Sequence, residues 1–167
     1  MHIGRRIGLS DDRCVLAAVF IALIVVAVTV AVYYVWFGPK PEPYSSISLL
    51  DAQQQAIDYP TVLVANQNSS FSVYVDVGNH QNVDRNYQVR LKITENLPVS
   101  MPNGVPVEPV STVDLAVPDG QTLQTQILVS ENTVGVHSIV FELWMQDDSG
   151  SYVFTQDFCV LNIEVVS

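Results

Sequence analysis

The sequence predicts an all-β, immunoglobulin-like antiparallel β-sandwich ectodomain preceded by one N-terminal transmembrane α-helix. Three observations carry that reading. Val15 to Phe37 is a run of 23 residues without a charge. From Tyr44 onward the apolar residues recur at period two in segment after segment. The breaks between those segments carry turn chemistry, as in Pro118-Asp119-Gly120 and Asp147-Asp148-Ser149-Gly150.

The apolar run comes first. At a rise of about 1.5 Å per residue it makes a helix of about 35 Å, enough for a hydrocarbon core of about 30 Å. Arg5, Arg6 and Arg13 precede it, whereas only Lys40 follows closely, so the N-terminus is expected in the cytoplasm and the remainder outside. Tyr33, Tyr34 and Trp36 suit the headgroup layer at the outer boundary. A cleaved signal peptide has a shorter apolar core and a small-residue cleavage site, so a retained signal anchor is the reading. The organisation is then a short cytoplasmic tail (1–14), the helix (15–37), a Pro-rich tether (38–43) and the ectodomain (44–167). The tether, Gly-Pro-Lys-Pro-Glu-Pro, is stiff and cannot continue the helix.

Charge is distributed unevenly. The whole chain carries −10, but beyond residue 40 only Arg85, Arg90 and Lys92 oppose fifteen acids, a net −12. Such a surface repels nucleic acid and anionic headgroups, and nucleic acid is excluded as a partner. The two cysteines, Cys14 and Cys159, lie on opposite sides of the apolar run, which excludes a disulfide within one chain. Cys159 falls in an apolar strand pattern and reads as a small buried hydrophobe.

Eight or nine strands are expected, near 44–50, 61–65, 70–78, 86–95, 110–117, 121–130, 136–146, 151–155 and 158–166. Phe71, Val73, Val75 and Val77 alternate with polar neighbours, as do Val89, Leu91 and Ile93, and Ile139, Phe141, Leu143 and Met145. A short helix is conceivable only at Ala52 to Ile57. Pro98 to Pro109 is expected as a loop or sheet edge, because its prolines donate no ladder hydrogen bonds. Tyr152 and Phe154 are apolar at even positions, whereas Leu161, Ile163 and Val165 are apolar at odd ones. Keeping both sets inward requires a one-residue bulge or break near Gln156 to Phe158. Many short strands with no intervening helices point to the two-sheet sandwich, although the Cys…Trp…Cys hallmark is missing.

Asp58-Tyr59-Pro60-Thr61-Val62-Leu63, then Val73 to Asn82 with its Gly78-Asn79-His80, then Tyr87-Gln88-Val89 resemble an archaeal membrane-protein family known as domain of unknown function 1616. The likeness covers residues 44–95 well and 120–166 loosely. Family members often carry several spans and this chain has one. The resemblance implies a membrane-attached β-domain of archaeal type, and it brings no activity or catalytic residue with it.

Site chemistry is sparse. His80 and His137 are too few and too far apart for a zinc set, and no nucleophile elbow, phosphate loop or paired-carboxylate motif occurs. No cofactor, metal ligand or catalytic residue is assigned. His80 at a strand end suits a turn or a side-chain hydrogen bond, and His137 is expected at the rim. Asp147 and Asp148 offer oxygens to calcium but read as a hairpin tip. Asn68 heads the one N-x-S/T sequon, in an exposed turn, and is a candidate glycosylation site. Tyr74 and Trp144 lie opposite the expected core; with His80 they form a candidate recognition surface if their strands share a sheet.

The expected function is a single-pass membrane-anchored module, without catalysis, that binds a protein or a cell-envelope polymer. An alternative is an accessory subunit of a membrane complex, recognised through small residues Ala17, Ala18, Ala22, Ala27 and Ala31 of the helix. The least favoured is an extracytoplasmic hydrolase built on His80 with a nearby carboxylate.

Overall fold

A computed structural model describes residues 9–38 and 42–167, so Arg5, Arg6 and Lys40 lie outside the described residues. The chain divides into two compact units, Met1–Glu42 and Pro43–Ser167.

Among the described residues, the first unit is a single helix, α1 (Leu9–Phe37), which begins upstream of the apolar run. Its span Val15–Phe37 has a mean hydropathy of 3.2 and is long and apolar enough to cross a membrane. Every side chain of that span is uncovered and no face is polar. The one aliphatic hydroxyl, on Thr29, donates back to the Val25 carbonyl at 2.8 Å, so the helix presents no free polar group there. Tyr33 stacks on Phe37 one turn on, with centroids 5.7 Å apart.

The second unit holds eight strands: β1 (Tyr44–Leu50), β2 (Val62–Val64), β3 (Ser70–His80), β4 (Arg85–Thr94), β5 (Ser111–Val117), β6 (Thr122–Ser130), β7 (Gly135–Gln146) and β8 (Tyr152–Val166). They form a three-stranded sheet, β1-β3-β6, and a five-stranded sheet, β2-β8-β7-β4-β5. Lettered in chain order as A, A′, B, C, C′, E, F and G, this is ABE against A′GFCC′, the immunoglobulin strand order without a D strand. All pairs are antiparallel except β2–β8, which is parallel.

Alternation decides which side chains meet between the sheets. Val73, Val75 and Val77 of β3 and Ile127 and Val129 of β6 face Val89 and Leu91 of β4, Ile139, Phe141 and Leu143 of β7, and Ile163 and Val165 of β8. Each buried aliphatic of this kind contributes about 1.5–3 kcal/mol. Tyr87, fully buried, ties the two sheets with polar bonds. Its hydroxyl donates to Asn79 Oδ1 at 3.1 Å and lies 2.9 Å from Ser45 Oγ. Burial raises its pKa, outweighing the Ser45 contact.

Three local expectations are corrected. Ala52 to Ile57 is a string of turns, not a helix, with Gln54 and Asp58 at positive φ. His137 is buried rather than at the rim: only 3% exposed, with Nε2 2.8 Å from the Thr133 carbonyl oxygen. The expected strands 151–155 and 158–166 are one strand with an irregularity where it was placed. Glu142 pairs with Phe158 and Trp144 with Phe154, so Thr155, Gln156 and Asp157 all oppose Leu143. Gln156 takes φ 71° there. Two residues are inserted, not one, so the phase of side chains is unchanged across the break. Phe154 therefore stays on the outer face of the sheet, and the buried set on the inner face is Ile163 and Val165.

Candidate recognition surface

The outer face of the five-stranded sheet is not uniformly wet. Even-numbered residues of β4, β7 and β8 project there, and several are buried: Lys92 at 5%, Val140 at 0%, Glu142 at 1% and Phe154 at 8% exposure. The cover is the segment between β4 and β5, which folds back so that Val105 is buried as well. The proline-rich composition that keeps this segment out of the ladder leaves it free to lie across the sheet.

A buried ion pair holds that cover down. Lys92 Nζ stands 3.0 Å from Glu142 Oε2 and donates to the Val105 carbonyl at 2.6 Å. The Val105 amide donates to Glu142 Oε1, and Trp144 Nε1 donates to Oε2 at 2.9 Å. Each charge is thus paired and hydrogen-bonded, the condition under which burial is tolerated. Gly104 is required for the approach: its φ is +79°, and a Cβ there would stand 2.7 Å from both carboxylate oxygens.

Above this pair lies an aromatic shelf. The Arg90 guanidinium sits 3.9 Å from the Trp144 ring centroid, steadied by Gln88 Oε1, which accepts from Nε and Nη2. Phe154 packs 5.6 Å from Trp144 and 6.5 Å from Phe158, centroid to centroid. A cleft of about 430 Å³ opens beside them, lined by Val99, Ser100, Met101, Pro102, Phe154, Gln156 and Phe158. The arrangement offers stacked rings, a cation and an open cleft of mixed polar and apolar lining. It fits binding through faces of sugars or apolar side chains.

The remaining candidates are scattered. Tyr74 belongs to β3 in the three-stranded sheet and Trp144 to β7 in the other, so the two rings lie on different sheets and form no common surface. The condition attached to that pairing fails because alternation reports the face of a strand but not its sheet. His80, at the end of β3, stacks on Tyr44 at 4.6 Å and makes no hydrogen bond or ion pair to a carboxylate among the described residues. The hydrogen-bonding role expected at that strand end belongs to its neighbour. Asn79, fully buried, donates to the carbonyls of Val83 at 2.9 Å and Val117 at 2.8 Å. Its Oδ1 accepts from Gln81 N at 3.0 Å and from Tyr87.

Asn68 is exposed in the turn between β2 and β3. Asp147 Oδ1 accepts from Ser149 N, Ser149 Oγ and Ser151 N at 2.6–2.9 Å, which closes the hairpin. These bonds, Ser149 first, hold its pKa below the usual carboxylate value. Among the described residues no cluster of three or more His, Cys, Asp or Glu side chains is placed to hold a metal ion. Cys159 is half-buried against the core, and burial, with Asp157, raises its thiol pKa. On α1, at about 100° per residue, Ala17, Ala27 and Ala31 share one side, whereas Ala18 and Ala22 fall on another. The five do not make one stripe. The Cys14 side chain lies outside the described residues.

No protein-family model matches this chain, and no curated protein matches it. Among solved structures it is similar to the CARDB domain of the PF1109 protein from Pyrococcus furiosus, at 14% identity and a TM-score of 0.47, covering 75% of this chain and 90% of that one. It is also similar to part of a beta-glucosidase from Listeria innocua, at 15% identity and a TM-score of 0.46, covering 74% of this chain but 16% of that one. The beta-glucosidase EmGH1 from Erythrobacter marinus gives 13% identity, a TM-score of 0.42 and the same coverage, 74% and 16%. The chain thus spans about one sixth of either glucosidase. At these identities the likenesses carry nothing about activity or ligand, and the architecture rests on the strand order described above.

Proposed function

We propose that this chain is a single-pass membrane protein, N-terminus cytoplasmic, that presents a non-catalytic β-sandwich to a protein or cell-envelope polymer on the extracytoplasmic side. The observation that carries the reading is the Trp144 ring, held between Arg90 and Phe154 beside an open cleft of mixed polar and apolar lining. A ring fixed on both sides loses little freedom when a ligand covers it, which favours binding. Several side chains suited to chemistry are engaged in structure: Lys92 with Glu142, His137 with Thr133, and Asp147 with its own turn. The arginines before the apolar span support the orientation.

Two measurements test this. Protease added to intact cells is expected to remove the C-terminal portion and spare the N-terminal tip; protection until lysis overturns the orientation. The full chain, reconstituted in vesicles of neutral lipid, is expected to retain isolated envelope polymer or envelope protein. Trp144→Ala with Phe158→Ser should weaken that retention about tenfold. Unchanged retention in the double variant removes the surface from the proposal, and no retention by the parent chain removes the function.

A further inference from the structure

The sequon Asn68-Ser69-Ser70 lies in the short connection between β2 and β3, and that turn is built from other atoms. Asn66 takes the positive φ, 60°, and its amide donates to Asn132 Oδ1 at 3.0 Å. The Asn68 backbone is pinned to Val64: its amide donates to the Val64 carbonyl at 3.0 Å, and its carbonyl accepts from Val64 N at 3.1 Å. Ser69 O accepts from Glu131 N at 2.9 Å. A structural asparagine in a loop or turn ordinarily spends its side-chain amide on nearby backbone, as Asn79 does here. The Asn68 amide makes no such bond among the described residues, and neither does the Ser70 hydroxyl. Both side chains are exposed. The fold thus fixes the backbone of the sequon and leaves free the two side chains that define it.

We infer that Asn68 is N-glycosylated by a membrane transferase that draws on a lipid-linked saccharide. In that step Asn68 Nδ2 bonds to the anomeric carbon of the saccharide as the C–O bond to the lipid phosphate breaks. The phosphate leaves with the electron pair, and the amide nitrogen gives up one of its two protons to a base of the transferase. Ser70 Oγ is the hydroxyl by which the sequon is read. Position favours the modification. Tyr44, where the domain leaves the tether, pairs with His80 at the other end of β3. The 11 residues of β3, at about 3.3 Å each, set the sequon about 30 Å along the sandwich from that point. Trp144 stands toward the end of β7 remote from the loop that contacts this turn, so a saccharide on Asn68 leaves the aromatic shelf uncovered. Exposed apolar residues gather at the sequon end. Val62 and Val136 flank Glu164 in the ladder, and Val134 lies just beyond Asn132. A bulky, hydrated saccharide shields such surface without burying polar groups. The inference rests on the orientation proposed above, because the transfer takes place on the extracytoplasmic side; it stands whether or not the Trp144 face binds a partner.

The test uses the full chain purified from its native membranes, with peptide mass spectrometry locating any added saccharide. The peptide that contains Asn68 is expected to carry saccharide mass on that side chain. Asn68→Gln and Ser70→Ala should each lower the occupied fraction at least tenfold, whereas Ser70→Thr and Asn66→Gln should keep it. All four positions concern exposed residues, so the core stays intact. An unmodified Asn68 in the parent chain overturns the proposal, as does saccharide on Ser69 or Ser70 instead, or full occupancy in Ser70→Ala. Protease added to the same intact cells separates the two readings. Asn68 unmodified in a domain that the protease removes refutes glycosylation alone; Asn68 unmodified in a protected domain refutes the orientation with it.

Discussion

Lys92 Nζ lies 3.0 Å from Glu142 Oε2 on the outer face of a sheet rather than between the two sheets, and both side chains are almost fully buried. The pair converts what would be a solvated face into the floor of a second, smaller core. Removing one partner leaves the other charge buried and unpaired. Glu142→Ala or Lys92→Ala should therefore cost about 3–5 kcal/mol of unfolding free energy. Urea denaturation of Pro43–Ser167 measures this, and a Lys92→Met, Glu142→Leu double change should recover part of the loss. Gly104→Ala should free the same cover, seen as faster proteolysis between residues 95 and 110.

Asn79 offers a second test. Its amide caps the carbonyls of Val83 and Val117 while its oxygen serves Gln81 and Tyr87. Asn79→Ala strands several buried polar groups, each costing about 1–3 kcal/mol. The expected result is a loss at the upper end of that range or beyond, read by chemical denaturation. Asn79→Asp should also destabilise, because it sets oxygen against two carbonyl oxygens.

Gln156 adopts φ 71° at the irregularity of β8. Gln156→Gly should be neutral or slightly stabilising, whereas Gln156→Val should cost about 1–2 kcal/mol, since a β-branched residue resists positive φ. Equal stability of the two variants would show that the inserted residues are not where the pairing puts them.

Two carboxylates give a pH dependence of known sign. For Glu131, burial alone raises the pKa, but the Thr133 and Asn132 amides and His137 outweigh it and leave it lowered. Asp147 is lowered by Ser149 and Ser151. A folded pKa below the unfolded one gives stabilisation that is complete above the unfolded value, near 4, and is lost as pH falls through the folded value. The amide resonances of Ser149, Ser151 and Thr133 should shift together below about pH 4, and Asp147→Asn should abolish the shift at Ser149 and Ser151.

The legible part of this protein is periodic. Twenty-three uncharged residues announce the helix, and Val73, Val75 and Val77 or Ile139, Phe141 and Leu143 announce strands with a buried face, because side chains alternate at period two. The same logic located the irregularity near Gln156. It misassigned Phe154, whose ring lies outside the sandwich, because an apolar residue in a strand states only that something covers it. The shelf of Arg90, Trp144, Phe154 and Phe158 was legible in part, through Trp144 alone.

What the chain determines by itself is local: where it is apolar enough for lipid, where it alternates, and where Pro118-Asp119-Gly120 or Asp147 to Gly150 must turn. Tertiary structure decided which strands are neighbours. It put Tyr74 and Trp144 on different sheets and closed the Lys92–Glu142 pair beneath a loop. The reason is physical. Alternation encodes burial one strand at a time, while strand order, ion pairing and edge exposure arise from contacts between residues far apart in sequence.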